Sequence, residues 1–136
     1  MTIRFLLDTN IVIEVLRGKP EPLEQQMRRH SGQLAVSTIT VVELGYGVAR
    51  SQDPEHDRAS VEGFLPFVEV LDLDTAGAEH AGDICAELAR VGTPIGGYDL
   101  LIAGLARSRG LTVVTNNRRE FDRVSGLLVV DWTTPD

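Results

Sequence analysis

Apolar and polar positions fall in blocks along the chain, and the blocks switch between strand-like and helical periods. Ile3 to Leu7 is an apolar run broken only by Arg4 and ended by Asp8-Thr9-Asn10, the pattern of a buried strand entering a turn. Ile11 to Leu16 begins a helical pattern stopped by Gly18 and Pro20, and Glu21 to His30 is a second, polar helix ended by Gly32. After a short strand, Leu34 to Ser37, the stretch from Ile39 to Arg50 reads as a helix whose apolar face carries Ile39, Val42, Tyr46 and Ala49. Residues 54–67, opened by Pro54 and closed near Pro66, form another amphipathic helix. Val68 to Leu73 is a third strand, and Thr75 to Val91 the longest helix, with Thr75 as N-cap and Gly92 as its stop. A helix from Asp99 to about Ser108 ends at Gly110. Leu111 to Thr115 is the most β-branched strand, and Leu127 to Val130 follows the turn at Ser125-Gly126. Strands alternating with helices predict an α/β fold with a mainly parallel sheet of about five strands, covered on both faces. Ligand sites in such sheets lie at the carboxyl edge of the strands.

The chain of 136 residues fits one domain, 1–136, large enough to bury a core without staples. One cysteine, Cys85, forms no internal bridge and points to a reduced, cytoplasmic setting. No apolar run reaches the roughly 18 residues of a membrane span, and Met1 to Leu7 is too short for a signal peptide. The formal net charge is -7, which at first argues against a nucleic-acid binder. Its distribution changes that picture: +1 over residues 1–50, -9 over 51–99, +3 over 100–125 and -2 over 126–136. The basic groups of the third segment are all arginines, Arg107, Arg109, Arg118, Arg119 and Arg123, and arginine is the better phosphate-gripping cation. The same residues also suit a solvated helix face. The only lysine, Lys19, lies in the turn between the first two helices.

Four polar clusters fall at the carboxyl edge of the predicted sheet or just after it. They are Asp8 after the first strand, Glu43 in Thr40-Val41-Val42-Glu43, Asp99 at a helix start, and the turn Thr115-Asn116-Asn117-Arg118-Arg119-Glu120-Phe121. Each has a plainer reading: Asp8 and Asp99 as helix caps, Thr40 with Glu43 as a capping box, the asparagines as turn formers. Together on one rim they would repel one another unless a cation neutralised them, and an all-oxygen donor set selects a hard ion such as Mg²⁺ or Mn²⁺. His30, His56 and His80 sit in separate helices and read as surface residues, which makes zinc unsuitable. Carboxylate-held Mg²⁺ suits phosphoryl chemistry. A phospho-acceptor domain or an aspartate-nucleophile phosphatase needs a lysine in a later strand, and a P-loop needs lysine after its glycines. Gly96-Gly97-Tyr98-Asp99 lacks one. Nuclease chemistry is what remains.

In order and spacing, the motifs Phe5-Leu6-Leu7-Asp8-Thr9-Asn10, Ser37 to Gly47, Pro94 to Ala103 and Val114 to Phe121 resemble the PIN-domain family. More closely they resemble its VapC ribonuclease toxins of type II toxin–antitoxin modules. Ala106 to Leu111 and Val130-Asp131-Trp132 resemble the enteric branch. The resemblance implies a PIN-like fold and a Mg²⁺-dependent endoribonuclease, with Mn²⁺ able to substitute. The implied substrate is a structured RNA, often tRNA, whose cleavage arrests translation. Asp8 and Asp99 match the principal metal ligands, and Glu43 matches the acid that positions water or helps ligate. Where many members carry a fourth Asp this chain has Asn117, so Glu120 is the preferred fourth acid over Asp122. Thr115, Asn116 and Asn117 stand as supporting or orienting groups. Gly97 replaces a frequent proline. The arginines of 107–123 become candidate RNA contacts. The implied partners are a VapB-type antitoxin, attracted electrostatically if basic, a second toxin copy, and operator DNA only through the antitoxin. Competing readings are a PIN nuclease of RNA maturation or DNA processing, and a non-catalytic binding subunit whose acids only cap helices.

Overall fold

The computed structural model describes residues 2–18 and 20–135; Lys19 lies outside them. Five strands, β1 (Phe5–Leu7), β2 (Leu34–Ser37), β3 (Glu69–Leu71), β4 (Thr112–Val114) and β5 (Leu128–Val130), form one sheet in the order β3-β2-β1-β4-β5. Every pairing is parallel. The central strand β1 and its neighbour β2 are buried along their whole length, as a strand covered on both faces must be. Among the described residues seven helices cover the sheet: α1 (Thr9–Leu16), α2 (Glu21–Arg29), α3 (Thr38–Ala49), α4 (Pro54–Phe64), α5 (Thr75–Val91), α6 (Gly97–Arg109) and α7 (Arg118–Phe121). The residues expected to end one long helix, Leu65–Phe67, tighten into a 3₁₀ turn around Pro66. Among the described residues no helix is long and apolar enough to cross a membrane.

Two apolar cores sandwich the sheet. On one face α5 and α6 bring Ile84, Leu88, Ile102 and Leu105 against Leu6, Val113 and Phe121. On the other, Ile11, Val12, Leu44 and Phe64 pack on Leu7, Val36 and Val114, and Trp132 closes the layer. Trp132 stacks on His30 with ring centroids 5.1 Å apart and meets the Phe5 ring at a tilt, 4.7 Å between centroids. His30 is therefore half-buried instead of on the surface. His80 is also drawn inward, accepting a hydrogen bond at Nδ1 from Arg107 Nε at 3.0 Å, while His56 is exposed.

Two expectations about helix faces and ends are corrected. The apolar face of α3 is not its buried face. Thr40, Leu44 and Val48 are buried, one turn apart, while Val42, Tyr46 and Ala49 are exposed and Ile39 is only half-buried. In α5 the N-cap is Asp74, whose Oδ1 accepts from Gly77 N at 2.9 Å, so Thr75 is the first helical residue. The carboxylate is the better acceptor and draws the start back by one position.

α5 and α6 cross at small residues. A Cβ added to Gly104 would lie 2.7 Å from Ala81 N and from Gly77 O, both backbone atoms that cannot turn aside. Gly104→Ala is therefore expected to destabilise the protein by about 1–3 kcal/mol despite alanine's better helix propensity. Thermal unfolding checks it: a melting temperature equal to or above that of the parent would contradict this packing.

Candidate active site

The parallel register builds the rim. Leu7 pairs with Val114, and Val114 with Val130, so the next residues, Asp8, Thr115 and Asp131, come to the same edge. Asp8 N donates to Val114 O and Thr115 N to Val130 O, each at 3.0 Å, carrying the ladder one step past the strands. β2 ends at Ser37 and passes directly into α3, whose N-cap is Ser37 itself, accepting from Ile39 N. Thr40 and Glu43 thus lie inside the helix, and the expected capping box is not formed. The helix begins where the strand stops, three residues before Thr40. Both side chains face α1 instead: Thr9 Oγ1 lies 3.0 Å from Thr40 Oγ1 and donates to Glu43 Oε1 at 2.6 Å.

Asp8 is 2% exposed and does cap α1, its Oδ1 accepting from Ile11 N at 2.9 Å, while Oδ2 accepts from Thr115 Oγ1. Burial pushes its carboxyl up to about 6 against the pull of these two donors, and the charges of Glu43 and Asp131 push the same way. Asp99 is not a cap: α6 starts at Gly97 after Gly96, leaving Asp99 in the first turn. Burial raises it to about 7, helped by a hydrogen bond to Glu120 and by the charges of Glu120, Asp8 and Glu43. Glu120 is held below its ordinary range, first by Asn117 Nδ2 at 2.6 Å and then by Asp99 and by Gly96 N at 3.2 Å. Asn117 in turn donates its N–H to Thr115 Oγ1 at 2.8 Å. Asn116 is exposed beside it. Asp122 turns away to pair with Arg118 at 3.4 Å.

The structure thus brings Asp8, Glu43, Asp99, Glu120, Thr115 and Asn117 to one rim and adds Asp131, which the sequence pattern did not single out. The signal was present: Asp131 follows β5 as Asp8 follows β1. Among the described residues no three of the acids stand close enough to form a finished ligand sphere. The donor chemistry nonetheless fits a hard cation. All the side chains offer oxygen, and the burial and, after it, the mutual repulsion that raise the carboxyls of Asp8 and Asp99 are what a divalent ion would relieve.

The five arginines do not form one strip. α6 runs back across the sheet from Asp99, so at 1.5 Å per residue Arg107 and Arg109 lie about 12 and 15 Å further along the helix axis. Arg107 is also turned inward, bonded to His80 and to Ser125 O at 3.0 Å. Arg109 faces Asp74 at 3.5 Å. Arg118, Arg119 and Arg123 flank Glu120 at the rim. Arg123 donates to Pro94 O at 2.9 Å, and Arg119, exposed, has no ion pair among the described residues.

The pattern that defines the PIN domain matches residues 5–127. The chain is 49% identical over 131 residues to the tRNA(fMet)-specific endonuclease VapC of Shigella flexneri, covering 96% of this chain and 99% of that one. In solved structures it superposes on VapC-type chains in two complexes. One is the DNA-bound VapBC of Salmonella typhimurium, with TM-score 0.93, 50% identity and coverage of 96% and 99%. The other is VapBC2 of Rickettsia felis bound to a promoter DNA fragment, with TM-score 0.90, 31% identity and coverage of 96% and 99%.

Proposed function

Since this chain belongs to the PIN-domain family and, within it, to the VapC ribonucleases, we propose that it is the toxin of a toxin–antitoxin pair and cuts tRNA at the acidic rim. Near-complete alignment with an endonuclease named for tRNA(fMet) carries the substrate reading. It favours this reading over a role in RNA maturation or DNA processing, and over a non-catalytic subunit. The superposed VapBC complexes support a VapB-type partner, with operator DNA reached through that partner. A toxin homodimer and a cytoplasmic location complete the proposal.

In the proposed site Asp8 and Asp99 hold Mg²⁺, or Mn²⁺ in its place, with Glu43 and Glu120 completing the charge. A bound ion of this kind supplies Lewis-acid polarisation of the phosphate and a more acidic water. The chain's own groups do the positioning. Ile11 N and Thr115 Oγ1 fix both oxygens of Asp8, so its orientation is set before substrate arrives. Thr9 holds Glu43 by Oε1, leaving Oε2 as the acceptor for the proton of the attacking water. Asn117 and Gly96 N keep Glu120 ionised beside Asp99. Arg118, Arg119 and Arg123 grip the RNA backbone next to the rim. Asp131 adds negative charge behind Asp8.

Purified protein freed of its antitoxin is expected to cut tRNA(fMet) in Mg²⁺ and to stop when EDTA is added. Gel analysis of end-labelled tRNA reads the outcome, and cleavage that persists in EDTA would remove the metal from the proposal.

A further inference from the structure

Both tyrosines of the chain line a single open cavity. Tyr46 of α3 and Tyr98 of α6 share it with Thr9, Asn10, Ile13, Val42 and Glu43, and its volume is about 300 Å³. Tyr46 and Tyr98 are 61% and 52% exposed, so neither serves the core. Arg50 lies over the Tyr46 ring at 5.1 Å from its centroid and donates to its hydroxyl at 3.1 Å, which steadies the ring and places a cation beside it.

The cavity is continuous with the acidic rim. Glu43 belongs to both, Thr9 follows Asp8, and Tyr98 precedes Asp99. An RNA whose phosphate sits at the rim therefore has an adjacent base within reach of two exposed aromatic rings, an exposed amide (Asn10) and an arginine. Unpaired bases are held in this way, by stacking on aromatic or guanidinium planes with polar groups at their edges. The lining is mainly apolar, from the two rings, Ile13 and Val42, and adds a hydroxyl, an amide and a carboxylate, the mixture that a base with apolar faces and polar edges requires.

We propose that Tyr46 and Tyr98 form a stacking subsite for an unpaired base of the RNA beside the scissile phosphate. The subsite rests on the ribonuclease reading given above. It selects substrates that present an unstacked nucleotide, such as a loop, over continuous duplex. Stacking present in both bound substrate and transition state acts on KM and leaves kcat alone.

The test uses a synthetic RNA hairpin containing the site that the full-length protein cuts. Tyr46→Ala and Tyr98→Ala are each expected to raise KM about tenfold with kcat within twofold, and Tyr46→Phe and Tyr98→Phe to stay within twofold in both. Binding is then measured to hairpins with one abasic nucleotide, placed in turn at each unpaired position flanking the cut, using chains that also carry Asp8→Asn to prevent cleavage. One abasic position should weaken binding by the parent about tenfold and binding by the Tyr46→Ala, Tyr98→Ala double variant by less than twofold. Equal losses in both chains would overturn the subsite while leaving the ribonuclease reading intact. So would alanine variants that keep their RNA affinity but lose binding to the antitoxin or to a second copy, which would assign the face to protein contact. A parent chain that cuts no RNA would overturn both readings.

Discussion

Asp8→Asn is expected to lower RNA cleavage by about 10³-fold or more and at the same time to make the metal-free protein more stable near pH 8. The two effects have one origin. Asp8 is 2% exposed and its carboxyl is pushed up to about 6, so ionising it inside the fold is unfavourable. A group whose folded value is raised stabilises the fold fully below its unfolded value, here 3.8, and loses that contribution as pH climbs through about 6. At 1.36 kcal/mol per pH unit the loss for this buried group is about 3 kcal/mol. Asparagine keeps the oxygen that Ile11 N needs, and its amide can donate to Thr115 Oγ1, reversing the present bond. It carries no charge to be desolvated. Removing a charged ligand of a catalytic ion costs several kcal/mol of transition-state stabilisation, and each 1.36 kcal/mol is tenfold in rate. Thermal unfolding in EDTA at pH 5 and pH 8, beside cleavage assays, separates the outcomes. An Asp8→Asn chain that cuts as well as the parent, or melts below it at pH 8, would dismantle the site as assigned.

The affinity for a divalent ion is expected to fall at least tenfold between pH 8 and pH 5.5. In the metal-free protein Asp99 titrates near 7 and Asp8 near 6, so below those values protons compete with the cation for the same oxygens. Each group held in its neutral form weakens binding by up to about tenfold per pH unit. Glu120 moves the opposite way, held ionised by Asn117, and contributes no such dependence in this range. Calorimetry with Mn²⁺ at the two pH values reads the effect directly. An affinity that does not change with pH would mean that Asp8 and Asp99 do not hold the ion.

Much of the framework was legible in the chain because its strands are short, apolar and ended by polar residues at the same edge. Leu34 to Ser37 has the expected bounds, and the alternation of strands and helices correctly implied a parallel sheet. Misreadings arose where tertiary packing competes with local pattern. Thr40 and Glu43 have the spacing of a capping box, yet β2 runs into α3 without a loop and Ser37 takes the cap. The apolar residues of α3 suggest a buried stripe through Val42 and Tyr46, but sheet and α1 claim the Thr40-Leu44-Val48 face, and the tyrosine is left in water. The arginines looked contiguous because sequence distance conceals the reversal of direction along α6. Asp131 was read only as part of the Val130-Asp131-Trp132 motif and not as a site residue, because a single acid after an edge strand has no periodicity to mark it. Only the registers of β1, β4 and β5 place it beside Asp8.

On the proposed assignment, the rim also fixes how much of the chain must be made before the site can form. Asp8 and Thr115 are 107 residues apart, and the edge that joins them depends on β4 and β5, which follow β1, β2 and β3 in chain order. A nascent chain that has released only β1, β2 and α3 holds Asp8 and Glu43 without Asp99, Glu120 or Asp131, and lacks the central pairing that aligns them. Parallel pairings of this range close late in folding. If the proposed site is right, the full set of acids therefore comes together only after β4 and β5 have been made, and a shorter nascent chain holds no complete site.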